Sequence, residues 1–155
     1  MIRPFLLAAL LVTAVACSDT PVAAPPPLDE PELATITGTL VAPSMLRSGD
    51  EFIELAGWQV SLLDGLVGAD LMVEGVPETT DGDFLMYEFS VLAVDGLPAI
   101  DGMLTAHAEG FAIYSRLGDS VVLDDIPADL EGHIGKRVWV ALRDGVPERF
   151  GVLEN

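Results

Sequence analysis

Five Asp-Gly dipeptides are distributed along the chain, at positions 64–65, 81–82, 95–96, 101–102 and 144–145. Asp and Gly both accept the positive φ values that tight hairpin turns require. The segments between these dipeptides are short, rich in β-branched and aromatic residues, and often alternate between apolar and polar positions. Such segments are typical of strands. The sequence therefore predicts an all-β fold of short strands and tight turns.

Two sets of strands are predicted, with one helical signal at 127–132, where Pro127 suits a first helical position and Gly132 can end the turn. The first set covers residues 34–42, 51–56, 58–63, 69–75 and 84–94, and the second covers 100–107, 110–115, 120–124, 136–142 and 149–153.

The two sets contain similar residues in the same order, which favours an internal duplication. The first set runs Gly38-x-Leu40, Phe52, Val60-x-Leu62, Gly68, Val73 and Phe89-x-Val91-Leu92. The second runs Gly102-x-Leu104, Phe111, Val121-x-Leu123, Gly135, Val140 and Phe150-x-Val152-Leu153. We therefore predict a first module over residues 34–96 and a second module over 97–155. The alternative is one continuous ten-stranded β-barrel or sandwich.

The second module ends with a short helical turn, the strand Gly135-Lys136-Arg137-Val138-Trp139-Val140 and a closing strand. This order resembles the small OB-fold modules of bacterial exported proteins, in which a Gly-Lys-x-Val-x-Val strand follows the helical connection. The resemblance covers about residues 100–155 and extends to 34–96 through the repeat. It implies two tandem five-stranded OB-like barrels, a fold whose strand faces and loops commonly bind ligands.

The N-terminus has the three zones of a secretory signal peptide: Arg3, an apolar run over 5–16, and small residues before Cys17. The run is shorter than the roughly 20 residues that span a bilayer. Cys17, the only cysteine, follows the small apolar residues Ala14-Val15-Ala16, and the segment resembles the lipobox of bacterial lipoproteins, with Ala14 where leucine is usual. The resemblance implies that residues 1–16 are removed and that Cys17 carries lipid. The alternative is an ordinary signal peptide cut near Ala16 that leaves a free thiol.

Residues 17–33 contain five prolines among small and acidic residues, which predicts a disordered, extended tether after the lipidated Cys17. Ser18, rather than aspartate, follows the cysteine. In a bacterium with two membranes, the lipoprotein resemblance then implies sorting to the outer membrane. We expect a protein of the cell envelope.

The charge of the chain disfavours partners rich in phosphate. Its formal net charge is −18, and no Lys or Arg occurs between Arg47 and Arg116, an interval that holds 13 acidic residues. Binding to a phosphate backbone depends on placing cations against it. We therefore expect no nucleic acid partner.

The candidates for catalysis are few. The only histidines are His107 and His133, and Cys17 is assigned to lipid. The chain has no Gly-x-Ser-x-Gly elbow, glycine-rich phosphate loop or His-Glu-x-x-His pattern. We predict that the protein is not an enzyme, and a hydrolase using paired carboxylates is the third hypothesis.

Calcium is the one cofactor that the acidic residues suggest, because it binds closely spaced carboxylates on loops. Glu78, Asp81 and Asp83 form the best local cluster, and a second one is Asp124, Asp125 and Asp129. Neither fits the EF-hand pattern. The alternative interpretation is a hairpin turn for the first cluster and a solvated strand end for the second.

Alternation along 136–142 places Val138 and Val140 on one face of a strand and Arg137 and Trp139 on the other. An outward Trp139 beside Arg137 and Arg143 is a candidate contact patch, because Trp and Arg are enriched at interaction hot spots. The alternative is that Trp139 fills the seam between the two modules. Trp58, which alternates with Val60 and Leu62, is predicted to lie in the core.

The leading hypothesis is a membrane-tethered extracytoplasmic lipoprotein, held to the membrane by lipid on Cys17. Its folded part is expected to be a non-catalytic binding or assembly module for protein or glycan. A calcium-dependent structural or adhesive domain is the alternative, and an extracytoplasmic hydrolase is third.

Overall fold

The computed structural model describes residues 32–77, 83–108, 110–123 and 126–154. In this part of the chain almost all regular structure is strand, which confirms the all-β fold class. A 3₁₀ helix, Trp58–Leu66, and a single helical turn, α1 (Ala128–Glu131), are the helical elements of these residues. The strands are β1 Ala34–Ala42, β2 Met45–Ser48, β3 Glu51–Ala56, β4 Asp70–Pro77, β5 Phe84–Val94, β6 Leu97–His107, β7 Gly110–Tyr114, β8 Ser120–Leu123, β9 Arg137–Arg143 and β10 Val146–Val152.

The first module closes into a five-stranded barrel. Antiparallel pairing joins β1 to β2, β2 to β3, β1 to β4 and β4 to β5. The ring is completed by a short parallel pairing of β3 with β5, in which Leu55 lies opposite Phe84. The 3₁₀ helix connects β3 to β4. A closed five-stranded barrel is the architecture that the OB-like resemblance implies for a single module.

The second module repeats this order. Antiparallel pairing joins β6 to β7, β7 to β8, β6 to β9 and β9 to β10, and α1 connects β8 to β9. Among the described residues, no pairing joins β8 to β10, the strands whose counterparts close the first barrel. A tight hairpin between β5 and β6 links the two modules into one ten-stranded sheet.

Equivalent backbone hydrogen bonds show that the repeat extends to three dimensions. The Gly68 amide donates to the Leu40 carbonyl at 2.7 Å, and the Gly135 amide donates to the Leu104 carbonyl at 2.8 Å. Both glycines have positive φ, at 95° and 84°, and both leucines are fully buried. The later matches agree: Val73 pairs with Phe89, and Val140 pairs with Phe150.

Two of the proposed repeat matches are wrong. Phe52 lies on β3 whereas Phe111 lies on β7, which is the counterpart of β2. Val60 and Leu62 lie in the 3₁₀ helix, so they do not correspond to Val121 and Leu123 on β8. The register shows that Ile53 and Leu55 do, because Ile53 opposes Leu46 as Val121 opposes Ile113.

The predicted strand 58–63 is also wrong, and with it the core position of Trp58. At Gly57 the backbone has φ 115°, which an L side chain rarely adopts, and a Cβ there would lie 2.7 Å from the Met86 carbonyl oxygen. The chain leaves the sheet at this glycine and enters the 3₁₀ helix. Trp58 is 67 % exposed as a result.

The Asp-Gly dipeptides adopt more than one conformation. Asp95-Gly96 and Asp144-Gly145 form two-residue hairpin turns in which all four residues have positive φ, as predicted. Asp64-Gly65 lies inside the 3₁₀ helix, and Asp101-Gly102 lies inside β6. The dipeptide at 81–82 lies outside the described residues.

Strand β9 is buried on both faces, which confirms the predicted alternation. Val138 and Val140 pack in a second core with Leu104 and Ile113. On the opposite face, Trp139 packs in the first core, among residues of the first module. The second module therefore contributes part of the core of the first.

The segments assigned to the signal peptide (1–16) and to most of the tether (17–33), including Cys17, lie outside the described residues. Their assignments stay predictions. Within the described ranges, no helix has the length and apolar character needed to cross a bilayer.

Candidate ligand-binding surface

Arg137 is held in place by an extensive set of contacts at the junction of the modules. Its Nε and Nη2 donate hydrogen bonds to Asp101 Oδ2 at 3.0 and 2.6 Å, and its Nη1 lies 3.2 Å from Glu88 Oε1. Nη2 also donates to the Phe89 carbonyl, and the guanidinium carbon lies 4.5 Å from the centroid of the Phe89 ring. Asp101 is only 4 % exposed, and its Oδ1 accepts the Val91 amide at 3.0 Å.

Two acidic side chains face each other on the first module. Glu74 on β4 lies directly opposite Glu88 on β5, an arrangement that is destabilising for like charges. Each carboxylate pairs with an arginine of the second module: Arg116 Nη1 lies 3.1 Å from Glu74 Oε2, and Arg137 contacts Glu88. The second module thus neutralises this part of the first, and neither arginine is free for a ligand.

The predicted contact patch of Trp139, Arg137 and Arg143 does not exist as one exposed surface. Trp139 is 7 % exposed because it packs into the first core, so the structure supports the alternative in which it fills the seam. Arg137 is bound by Asp101. Arg143 is exposed at the end of β9, where its hydrogen bonds with Glu148, and then the charge of that carboxylate, raise its pKa.

The calcium hypothesis involves residues that the structure covers only in part. Glu78 and Asp81 lie outside the described residues, as do Asp124 and Asp125, whereas Asp83 lies just before β5. Within the described ranges, no group of three or more His, Cys, Asp or Glu side chains is placed to hold a metal ion. Calcium binding therefore stays a prediction.

The outer face of the first barrel presents a row of side chains across neighbouring strands. Asp70 on β4 lies opposite Thr39 on β1, Thr39 opposite Arg47 on β2, and Arg47 opposite Phe52 on β3. The Thr39 hydroxyl donates to Asp70 Oδ1 at 2.6 Å. Phe52 is 65 % exposed, and the side chain of Arg47 forms no hydrogen bond or ion pair with the described residues.

A shallow depression of about 450 Å³ lies over the part of this row formed by Asp70, Thr39 and Arg47. It lies beside a close approach of β1 and β2: a Cβ at Gly38 would lie 2.3 Å from the Arg47 carbonyl oxygen. Its lining combines hydroxyls, a carboxylate, a guanidinium and an aliphatic side chain: Thr37, Thr39, Asp70, Arg47 and Leu92, together with Gly38, Gly49 and Leu71.

The second module has a depression of about 240 Å³ at the equivalent position. The register places Met103 where the first module has Thr39, and Tyr114 where it has Arg47. These two side chains are 47 % and 50 % exposed. Gly102 corresponds to Gly38, since its Cβ would lie 2.1 Å from the Tyr114 carbonyl oxygen. The two modules thus carry a depression at the same position in the fold. Its surface is mainly polar in the first module and mainly apolar in the second.

Sequence reasoning missed Arg47, Phe52, Met103 and Tyr114. β2 was not predicted, and without it the register that places Arg47 beside Phe52 is unknown. The alternation of β3, in which Phe52 and Glu54 are exposed and Leu55 is buried, was the one available signal for Phe52.

No protein-family model, curated protein or solved structure matches this chain. The row on the first module combines a flat ring, a guanidinium, a hydroxyl and a carboxylate on a rigid sheet face, which suits recognition of a ligand.

Proposed function

We propose that the chain is a membrane-tethered extracytoplasmic lipoprotein whose folded part is a non-catalytic binding or assembly module for protein or glycan. The tether and the lipid on Cys17 come from the sequence, through the lipobox resemblance. The binding role is supported by the closed barrel, which presents its functional groups outward on a rigid scaffold.

The exposed Phe52 beside Arg47 is the observation that carries the proposal. A phenylalanine at 65 % exposure contributes little to the stability of the isolated barrel, since most of its surface remains in water. Aromatic and arginine side chains are enriched at interaction hot spots. The strands that hold these residues, β2 and β3, form the face that OB-type barrels use for binding.

The charge of the chain limits the class of ligand. The formal net charge is −18, and Arg47 is the only Lys or Arg of the first module. A single cation in an acidic surface does not support binding to a nucleic acid backbone, whose affinity comes from several cationic contacts. Protein and glycan ligands have no such requirement.

A crosslinking pull-down from the native cell envelope tests the proposal. We compare the full chain with the double variant Arg47→Gln and Phe52→Ser, and expect recovery of a specific partner to fall at least tenfold. The matched control is Arg149→Gln with Val146→Ser, an exposed cation and an exposed apolar residue outside the row. Equal recovery by the row variant, the control and the unmodified chain contradicts the proposed binding surface.

The anchor has its own test. Cys17→Ser removes the proposed acylation site and is expected to abolish incorporation of radiolabelled fatty acid and to release the chain from the membrane fraction. Unchanged fatty-acid labelling of the variant contradicts lipidation at Cys17. A chain that is exported but never labelled indicates the ordinary signal peptide instead.

A further inference from the structure

Three depressions on the outer surface are neighbours that share lining residues. Leu92 borders both the depression of the first module and a middle depression of about 340 Å³. Ser115 borders both the middle depression and that of the second module. The three depressions therefore extend from the first module, across the junction, to the second module.

The middle depression is mainly aliphatic at its surface. Leu92 and Leu117 are both substantially exposed, and Ile100 and Val121 add to the apolar part of the lining. Of its two carboxylates, Asp101 is already engaged by Arg137 and by the Val91 amide, whereas Asp119 is exposed. Apolar side chains form most of the surface that this region offers to a ligand.

The arginines along this surface differ in whether they already form an ion pair within the protein. Arg116 pairs with Glu74, and Arg137 pairs with Asp101 and Glu88. Arg47 has no such partner among the described residues. Among the described residues, a ligand that lies along all three depressions therefore meets one guanidinium without an ion pair, at the end formed by the first module.

We infer that the three depressions form one groove that binds an extended peptide segment of a partner protein. A carboxylate of the peptide pairs with Arg47, and apolar side chains lie against Leu92 and Leu117 and then against Met103 and Tyr114. The inference deepens the proposed function and rests on it, because it selects protein rather than glycan.

The aliphatic residues favour a peptide over a glycan. Leu92, Leu117 and Met103 are exposed along the groove, and exposed apolar patches of this kind mark protein interaction sites. From Arg47 the path crosses β2, β1, β4, β5, β6 and β7, each of which pairs with the next. At about 4.8 Å per strand spacing this is roughly 24 Å, the length of about seven extended residues.

The test uses two synthetic heptapeptides, acetyl-Glu-Gly-Leu-Gly-Leu-Gly-Phe-amide and the same residues in reverse order, which together cover both directions of binding. The full chain carries isotope-labelled methionine methyl groups, and the Met103 signal is assigned with Met103→Leu. We expect one of the peptides to shift the Met103 methyl signal in a saturable way. A peptide with Gln in place of Glu is expected to bind about tenfold more weakly, the loss of one charge-assisted hydrogen bond.

Protein variants locate the contacts. Arg47→Gln is expected to remove the preference for the peptide with Glu over the peptide with Gln. Leu117→Ser is expected to weaken the binding of both of these peptides. Arg149→Gln and Val146→Ser, which lie outside the groove, are the matched controls. No shift of Met103 with either peptide at millimolar concentration overturns the inference, and so does equal weakening by the controls.

The outcome for the proposed function is separate. If the envelope pull-down still depends on Arg47 and Phe52 while both peptides fail to bind, the peptide groove is wrong and the binding module stands. If the pull-down shows no dependence on these residues, the proposed binding surface itself is wrong.

Discussion

Asp101 and Arg137 are joined through a single carboxylate oxygen, Oδ2, which accepts Nε of the arginine at 3.0 Å and Nη2 at 2.6 Å. The two residues lie on the adjacent strands β6 and β9, and the other oxygen of Asp101 accepts the amide of Val91 on β5. One buried carboxylate thus ties two strands of the second module to the first. The stability of the whole folded part is expected to depend on it.

The first prediction concerns this carboxylate. Asp101→Asn removes the negative charge that neutralises Arg137 in a mostly buried site. We expect a loss of about 2–3 kcal/mol in the free energy of unfolding. Urea denaturation measures it. Glu154→Gln breaks the exposed pair with Lys136, 2.9 Å apart, and is expected to cost less than about 1 kcal/mol. Equal losses in the two variants contradict the structural role of Asp101.

The two tryptophans are expected to behave in opposite ways. Trp139→Ala removes a side chain of the first core and is expected to cost about 3–5 kcal/mol. Trp58→Ala removes an exposed ring and is expected to change stability by no more than about 0.5 kcal/mol. Acrylamide quenching gives a second readout: the fluorescence of Trp58→Phe, which retains Trp139, should resist quenching more than that of Trp139→Phe. The reverse order contradicts the exposures described above.

A third prediction uses the close approach of β6 and β7. Gly102→Ala places a Cβ 2.1 Å from the Tyr114 carbonyl oxygen, so backbone must move, and we expect a cost of about 2 kcal/mol or more. Gly132→Ala is the control, since its Cβ lies 3.8 Å from the nearest atom and its φ is −63°. That substitution is expected to stay within about 0.5 kcal/mol of the parent in thermal or urea unfolding. A tolerated Gly102→Ala argues against the register of β6 and β7.

The fourth prediction concerns the independence of the modules. A fragment of residues 97–155 exposes the face of β9 that carries Trp139 and Ala141, both of which pack in the first core. We expect the fragment to show no cooperative urea transition, whereas the full chain shows one. A sharp transition in the fragment means that the second module is stable without the first.

The calcium alternative yields the fifth prediction. If Glu78, Asp81 and Asp83 bind calcium, the ion raises the midpoint of thermal unfolding by mass action, and a chelator reverses the effect. The proposed non-catalytic binding module requires no such shift, and we expect none. Asp81→Asn identifies the site if a shift occurs, since it removes one of the three carboxylates.

The strands were predictable wherever alternation and turn residues agreed, as in β1, β5 and β9. β2 was missed because its four residues, Met45–Ser48, are too few to show a period. Trp58 was misplaced because 58–62 alternates like a strand, while the conformation of Gly57 takes the chain out of the sheet. The row of side chains on the first module was not predictable either, because the register of the strands decides which residues are neighbours across them.

The amino-acid sequence by itself determined the all-β class, the repeat of Gly38 and Leu40 in Gly102 and Leu104, and the two faces of β9, because these follow from local turn chemistry and period-two alternation. Only the tertiary structure decided which core each face of β9 enters and that Asp101, part of an Asp-Gly pair, is a buried partner of Arg137. Burial and ion pairing depend on what packs against a residue from elsewhere in the chain. That information resides in no single segment.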